Sequence, residues 1–155
     1  MQNIIGFILS AAALLAFGRG YSSVLDKRLE CYSALRSLAL HIRDKMHVFS
    51  QTLEQMLKDF SGKNDTEQRL REAVVSGCGI DECLIRCDAP DKDALACFLQ
   101  GFGTDALIYE RQRCDELFSF FDKRYSEVAE NVGQSHRLTR VLVLCAISGL
   151  LLLAI

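Results

Sequence analysis

The sequence contains no tryptophan, and Pro90 is the only proline among its 155 residues. Proline interrupts helices most strongly, because it lacks a backbone N–H and clashes with the preceding turn. The chain is instead rich in leucine, alanine, glutamate and arginine, which all favour helices. This composition predicts an all-α protein.

Charged side chains are missing from both ends of the chain. All 18 Lys and Arg and all 20 Asp and Glu lie between Arg19 and Arg140. In a soluble protein, charged residues are usually spread along the whole chain. Their absence from both ends therefore indicates two apolar end segments on either side of a charged middle. We interpret residues 1–18 and 141–155 as transmembrane segments and residues 19–140 as a cytoplasmic helical bundle.

The two end segments differ in length. As a helix, residues 1–18 span about 27 Å, close to the roughly 30 Å of bilayer hydrocarbon. A cleaved signal peptide is the alternative, because Ala16 and Gly18 are small, but no Lys or Arg precedes the apolar run, so we favour a retained anchor. Residues 141–155 cover only about 22 Å, so monotopic insertion and a buried core helix remain alternatives to full spanning.

Basic residues flank both segments on the side of the charged middle. They are Arg19, Lys27 and Arg28 after the first segment, and Arg137 and Arg140 before the second. Positive charge near membrane segments stays on the cytoplasmic side. The pattern therefore predicts a membrane hairpin with both termini outside.

An excess of basic residues is also missing. The net charge is −2, and basic side chains are interleaved with acidic ones, so no concentrated face for phosphate binding is visible. We expect no nucleic-acid partner. The seven cysteines are an odd number, which indicates thiols in a reducing compartment rather than a disulfide framework.

Motifs for catalysis are absent as well: there is no phosphate loop, no nucleophile elbow and no paired histidine motif on a helix. We therefore expect a non-enzymatic protein without a cofactor. Cys78, Cys83 and Cys87 could offer three thiolates to zinc, with Cys97 or Cys114 as a fourth ligand, although buried thiols in a helical core are commoner. A metal- or redox-responsive sensor built on these three cysteines is the alternative hypothesis.

The apolar spacing predicts the helices of the charged middle. Apolar residues at intervals of three and four from Val24 to Phe60 indicate one long helix that ends at Ser61-Gly62. A short helix starts at Asp65 or Thr66, with Asp65 and Gln68 at the spacing of N-cap and N3 residues, and another has Pro90 at its first position. A long final helix capped by Thr104 continues through Gly133 to the C-terminus. We expect an antiparallel bundle of two long helices and two or three short ones.

One aromatic cluster and several charged runs complete the prediction. Leu117, Phe118, Phe120 and Phe121 are expected to meet the middle of the first long helix and the faces of the short helices. The charged runs are candidates for docking a partner protein, at positions chosen for their expected exposure: Arg69, Arg71, Glu72, Arg111, Arg113 and Glu116.

The layout resembles the stage III sporulation protein AB family. The residues that carry the likeness are Leu70-Arg71-Glu72-Ala73, Leu95 and Phe98, Phe102-Gly103, Asp105, and Arg140 followed by Ile147-Ser148-Gly149-Leu150-Leu151-Leu152. The likeness covers nearly the whole chain in order and spacing. The chain departs from the family in having Leu99 where the first of two glycines near the break is expected.

The resemblance implies a cytoplasmic domain similar to those of type II secretion platform proteins. It also implies a role beside a secretion-type ATPase and other channel subunits, in the mother-cell complex that connects to the forespore of an endospore-forming bacterium. The apolar ends place the protein at the cell membrane, and a homo-oligomer is among the expected assemblies. A third hypothesis is an exported helical bundle with a cleaved leader.

Overall fold

The computed structural model describes residues 2–49, 52–76, 80–85, 87–103 and 106–154, without the side chains of residues 2–5, 7, 8, 11, 48, 49, 80, 81 and 150–154. The described residues form α1 (Gln2–Phe49), α2 (Leu53–Asp59), α3 (Asp65–Ser76), α4 (Ile80–Cys83), α5 (Ala89–Gly101) and α6 (Leu107–Ala154). They include no strand. The predicted all-α class is confirmed. This part of the chain has the two long helices that were expected, but four short helices instead of the predicted two or three.

The chain divides into two compact units. The central unit is Arg28–Val128, and the end unit combines Met1–Lys27 with Ala129–Ile155. Both long helices contribute to both units. In the central unit α1 and α6 run antiparallel, because Arg36 pairs with Asp122 while His47, further along α1, pairs with Asp115, earlier in α6.

The core of the central unit forms where the apolar stripes of its helices meet. Tyr32, Ile42 and Phe121 are completely buried, and Leu35 and Leu38 are 1% exposed. These α1 positions recur at intervals of three and four, which places them on one helix face. The helical bundle expected from the periodicity is therefore confirmed.

The first long helix ends earlier than the periodicity predicts. α1 ends at Phe49, and a separate helix, α2, begins at Leu53 after the N-cap residue Thr52. Thr52 has an extended backbone, and its N–H donates to the Gln55 side chain at 3.3 Å, as in a capping box. The prediction of one helix through Phe60 is wrong. The spacing of apolar residues continues across the break, so it does not reveal that the polar residue Thr52 caps a new helix.

α2 folds back beside α1. The His41 ring lies 5.2 Å from the Phe60 ring, and its Nε2 lies 2.9 Å from the carbonyl oxygen of Met56. Lys45 donates to the Asp59 carboxylate at 3.0 Å. Met56 and Phe60 thus keep their predicted place in the core, but they reach it from a second helix.

α3 spans the predicted residues, but its cap is displaced by one residue. The Asn64 side chain accepts the Glu67 N–H at 2.8 Å, and the buried Glu67 carboxylate accepts the Lys63 N–H at 2.6 Å. The expected pair of Asp65 and Gln68 is therefore wrong. Asn64 caps the helix because its side-chain oxygen reaches a free N–H of the first turn.

The break before the final helix lies where the glycines predict it. α5 ends at Gly101, and Gly103 has a φ of 85°, a left-handed conformation that glycine adopts without strain. The Gly103 N–H donates at 2.9 Å to the carboxylate of Glu110, which is buried. The predicted cap Thr104 lies outside the described residues, as does Asp105, one of the residues on which the resemblance depends. α6 continues through Gly133 as expected.

The aromatic cluster of α6 is confirmed at three of its four positions. Phe121 and Leu117 are buried, and the Phe118 ring lies 4.2 Å from the Arg43 guanidinium. Phe120 is 37% exposed, so its predicted inward position is wrong. Phe120 is turned by about 100° around the helix from Phe121, and this rotation brings its side chain to the exposed side of α6.

The end unit packs the first part of α1 against the last part of α6. A Cβ atom added to Gly18 would lie 3.3 Å from Val143, so glycine allows the two helices to approach closely there. A groove of about 560 Å³ beside this contact is lined by Phe17, Leu138, Leu142 and other mostly apolar residues. Of the described residues, none belong to a helix that is long and apolar enough to span a membrane. Met1 and Ile155, the ends of the predicted segments, lie outside the description.

Candidate functional site

A buried carboxylate, Asp91, lies at the centre of the central unit. It belongs to the first turn of α5 and has no solvent exposure. Its carboxylate accepts hydrogen bonds from the Tyr32 hydroxyl at 2.5 Å, from Arg124 Nε at 2.9 Å and from Arg124 Nη2 at 3.1 Å. One side chain therefore joins α5 to both long helices.

Asp88, the N-cap residue of α5, extends this network. Its carboxylate accepts two hydrogen bonds from Arg28 Nη2, at 2.8 and 2.9 Å, and one from Arg124 Nη2, at 3.1 Å. Its N–H donates to the Tyr32 hydroxyl oxygen at 3.1 Å. We define the carboxylate network as Arg28, Tyr32, Asp88, Asp91 and Arg124.

The start of α5 explains why the two carboxylates lie together. Pro90 sets the backbone angle of the first turn. The N-cap residue Asp88 and the first-turn residue Asp91 are acidic, which suits the positive end of the helix dipole. Positions 88 and 91 are three residues apart, so both side chains point to the same side of the turn. The two arginines meet them from α1 and α6.

Tyr32 is a neutral donor within the network. Burial, followed by the hydrogen bond to Asp91, raises the pKa of Tyr32 to about 12. The hydrogen bonds of Arg124 to Asp91 and Glu127 raise the pKa of its guanidinium. At neutral pH the hydroxyl is protonated and the guanidinium is charged, so the network can bind helices together through charge-assisted hydrogen bonds.

Of the cysteine trio Cys78, Cys83 and Cys87, the structure describes only the last two, and Cys78 lies outside the described residues. The Cys83 thiol lies 3.5 Å from the carbonyl oxygen of Arg69. The Cys87 sulfur lies 2.9 Å from the Cys31 sulfur. In the part of the chain that the structure describes, no group of three or more His, Cys, Asp or Glu side chains is placed to hold a metal ion. The structure pairs Cys87 with a residue of α1 that the spacing did not indicate.

Two of the predicted docking residues cap helices instead of facing outward. Arg71 donates to the carbonyl oxygens of Leu57 and Lys58 at the end of α2, at 2.9 and 3.1 Å. Arg113 donates to the Gly101 carbonyl at the end of α5, at 2.5 Å. Cations suit these positions because the C-terminal carbonyls of a helix carry partial negative charge.

The other docking candidates are distributed between exposed and half-buried positions. Arg69 is exposed and pairs with Asp65 at 2.9 Å, and Glu116 is exposed and accepts a hydrogen bond from Gln112. Glu72 is exposed and Arg111 is half-buried. We define the exposed charged set as Arg69, Glu72 and Glu116.

The basic flanking residues belong mostly to the end unit. Arg19, Lys27, Arg137 and Arg140 are exposed there, and we call them the basic collar. The end unit has only two acidic residues, Asp26 and Glu130, and Asp26 accepts a hydrogen bond from His136 at 3.0 Å. Arg28, the fifth flanking residue, belongs to the central unit and pairs with Asp88 there.

Compared with models of protein families, with curated proteins and with solved structures, the chain matches none of them.

Proposed function

We propose that this chain is a non-enzymatic membrane platform. In this proposal the end unit anchors the protein in a bilayer. The central unit lies on the cytoplasmic side of that bilayer and binds partner proteins there. By resemblance, those partners are a secretion-type ATPase and other subunits of a sporulation channel.

The observation that supports the proposal is the apolar surface of the end unit. Leu9 is 66% exposed and Leu144 is 64% exposed, and Phe17, Leu138, Val141 and Leu142 are also exposed. Large apolar side chains that face outward on two packed helices are typical of a surface that contacts lipid or another protein. Apart from Leu138, which lies between Arg137 and Arg140, they lie on helix segments without acidic or basic side chains, which favours lipid.

The basic collar supports the same role. Its four cations lie on the segments that adjoin the apolar ends of α1 and α6, and long basic side chains at such positions reach lipid headgroups. The excess of positive charge there predicts a cytoplasmic central unit.

The residues that carry the family resemblance contribute partly to the core. Leu70, Ala73, Leu95 and Phe98 are buried, and Gly103 forms the turn before α6. Their spacing is therefore explained by packing and by backbone geometry. The ATPase partner depends on the resemblance alone, so it requires its own test.

The first test concerns the anchor. We expect the full-length protein to remain with membranes through alkaline carbonate washing and to be released by detergent. Leu9→Asp combined with Leu144→Asp should reduce the membrane-bound fraction severalfold, because each aspartate in a bilayer costs about 2.5 to 3.5 kcal/mol.

The matched control also places aspartate at exposed apolar positions, but in the central unit. Ile85 and Ile108 are 74% and 77% exposed, so Ile85→Asp with Ile108→Asp should leave the membrane-bound fraction unchanged. Recovery of the unaltered protein in the soluble fraction without detergent would contradict the membrane role.

The second test concerns the partner. The detergent-solubilised protein from sporulating cells should retain the secretion-type ATPase on affinity purification. Reversing the charges of the exposed charged set, by Arg69→Glu, Glu72→Arg and Glu116→Arg, should lower ATPase recovery at least tenfold. Reversing Glu54 and Lys58, an exposed pair on α2, is the control of matched chemistry. If the unaltered protein does not retain the ATPase, the proposed role in the channel is contradicted, whereas the proposed membrane anchor is unaffected.

A further inference from the structure

Cys31 and Cys87 bring two thiols together across the central unit. Cys31 lies on α1 and Cys87 immediately precedes the α5 cap, and their sulfur atoms are 2.9 Å apart. A disulfide bond is about 2.05 Å long, so the sulfurs need to approach by only about 0.9 Å to bond. The two residues are 56 positions apart in the chain, so folding alone brings them together.

The surroundings isolate this pair from solvent. Cys31 is 4% exposed and Cys87 is 7% exposed, whereas Cys97 and Cys145 are exposed. The hydrogen bond with Cys31, followed by burial, raises the pKa of Cys87, so the thiol form dominates at neutral pH. An oxidant that reaches these sulfurs has to be small and uncharged.

We propose that Cys31 and Cys87 form a reversible intramolecular disulfide when the protein meets hydrogen peroxide. One thiol first loses its proton, and the thiolate attacks hydrogen peroxide to give a sulfenic acid and hydroxide, which takes up that proton to become water. The second thiol then displaces the hydroxyl group of the sulfenic acid as a further water. Two thiols lose two electrons and two protons in total, and one peroxide is reduced to two waters. A dithiol reductant reverses the bond.

The bond would join α1 to the start of α5. Cys87 is adjacent to Asp88, whose carboxylate is held by Arg28 of α1 and by Arg124 of α6. A disulfide at this point fixes the connection between α4 and α5 next to the carboxylate network. The modification is independent of the membrane role, and it shares only Cys87 with a metal site at Cys78, Cys83 and Cys87.

The test treats the full chain in detergent with hydrogen peroxide, in a Cys97→Ser and Cys145→Ser background that removes the exposed thiols. Thiols that remain are alkylated after denaturation, and peptides are identified by mass spectrometry. We expect a linked peptide pair containing Cys31 and Cys87, and a fall in alkylated cysteines from five to three, since five of the seven remain in this background. Dithiothreitol should restore all five.

A thermal measurement gives a second readout. The bond closes a loop of more than fifty residues, so the oxidised form should melt on the order of 10 °C higher than the reduced form. Cys31→Ser and Cys87→Ser should each abolish the shift, while Cys83→Ser should retain it. Linkage of either cysteine to Cys78 or Cys83, or full alkylation of both after peroxide treatment, would overturn the proposal.

Discussion

Replacing Arg124 by leucine is expected to lower the free energy of unfolding by about 3 to 5 kcal/mol. The substitution leaves the completely buried Asp91 carboxylate with its Tyr32 hydrogen bond but without its guanidinium partner. A charge buried in this way is poorly solvated in the folded state, so its loss of hydration lowers the free energy of unfolding. Chemical denaturation of the full chain in detergent, followed by far-UV circular dichroism, measures the change.

Arg36→Leu is the matched control for this prediction. Arg36 on α1 pairs with Asp122 on α6 at 2.5 Å, but both side chains are 43% exposed. Pairs of this kind contribute less than about 1 kcal/mol, because water screens them. Equal losses for Arg124→Leu and Arg36→Leu would show that burial of Asp91 does not matter.

A double variant distinguishes two causes of the destabilisation expected for Arg124→Leu: the lost attraction between the two side chains, and the unpaired charge left on Asp91. Arg124→Leu together with Asp91→Leu removes both charges, and apolar replacement of a whole buried pair is often neutral. We expect the double variant to be more stable than Arg124→Leu alone. A double variant that is less stable by the sum of both single losses would exclude this explanation.

Phe121→Ala is expected to cost about 3 to 5 kcal/mol of unfolding free energy. Phe121 is completely buried on α6, so its removal leaves a cavity where α1 and α6 pack. The neighbouring Phe120 has the same chemistry but is 37% exposed, and its ring contacts that of Phe121 at a centroid distance of 5.2 Å. Phe120→Ala should therefore cost about 1 kcal/mol or less.

The same denaturation experiment compares the two phenylalanines. A difference of at least 2 kcal/mol between the variants is expected from the ranges for buried and surface positions. Similar losses at the two positions would mean that α6 is rotated relative to its described orientation, which would also place Leu117 and Cys114 outside the core.

Rigidity of the central unit is relevant to the proposed role. The carboxylate network holds the start of α5 between α1 and α6, and the aromatic core lies in the same unit. A platform that transmits position between partners needs helices that keep their register. The destabilised variants therefore offer a further comparison for ATPase retention.

Part of the polar chemistry could have been found in the sequence. Asp88, Pro90 and Asp91 mark a helix start, and Arg124 lies near the apolar stripe of α6. Nothing in the spacing indicates that Arg124 faces Asp91, or that Tyr32 donates to it from α1. Such pairs join residues far apart in the chain, and only their packing determines which ones meet.

The predicted docking residues also show that the sequence does not identify the partner of a polar side chain. Arg71 and Arg113 have charged side chains in charged runs, which is typical of solvated helix faces. Each one instead binds backbone carbonyls at the end of another helix, α2 or α5. The sequence indicates that such residues are polar, but the partner of a long flexible side chain depends on the three-dimensional arrangement around it.

By itself, the sequence determined the helical class, the start of α3 and α5, the glycine break before α6 and the uncharged ends, because these depend on local backbone preference and on the period of apolar residues. Tertiary structure decided the fold-back of α2, the burial of Asp91 and the meeting of Cys31 with Cys87. The physical reason is that local preferences act over a few residues, whereas a hydrogen bond or a thiol contact between helices exists only after distant segments have packed.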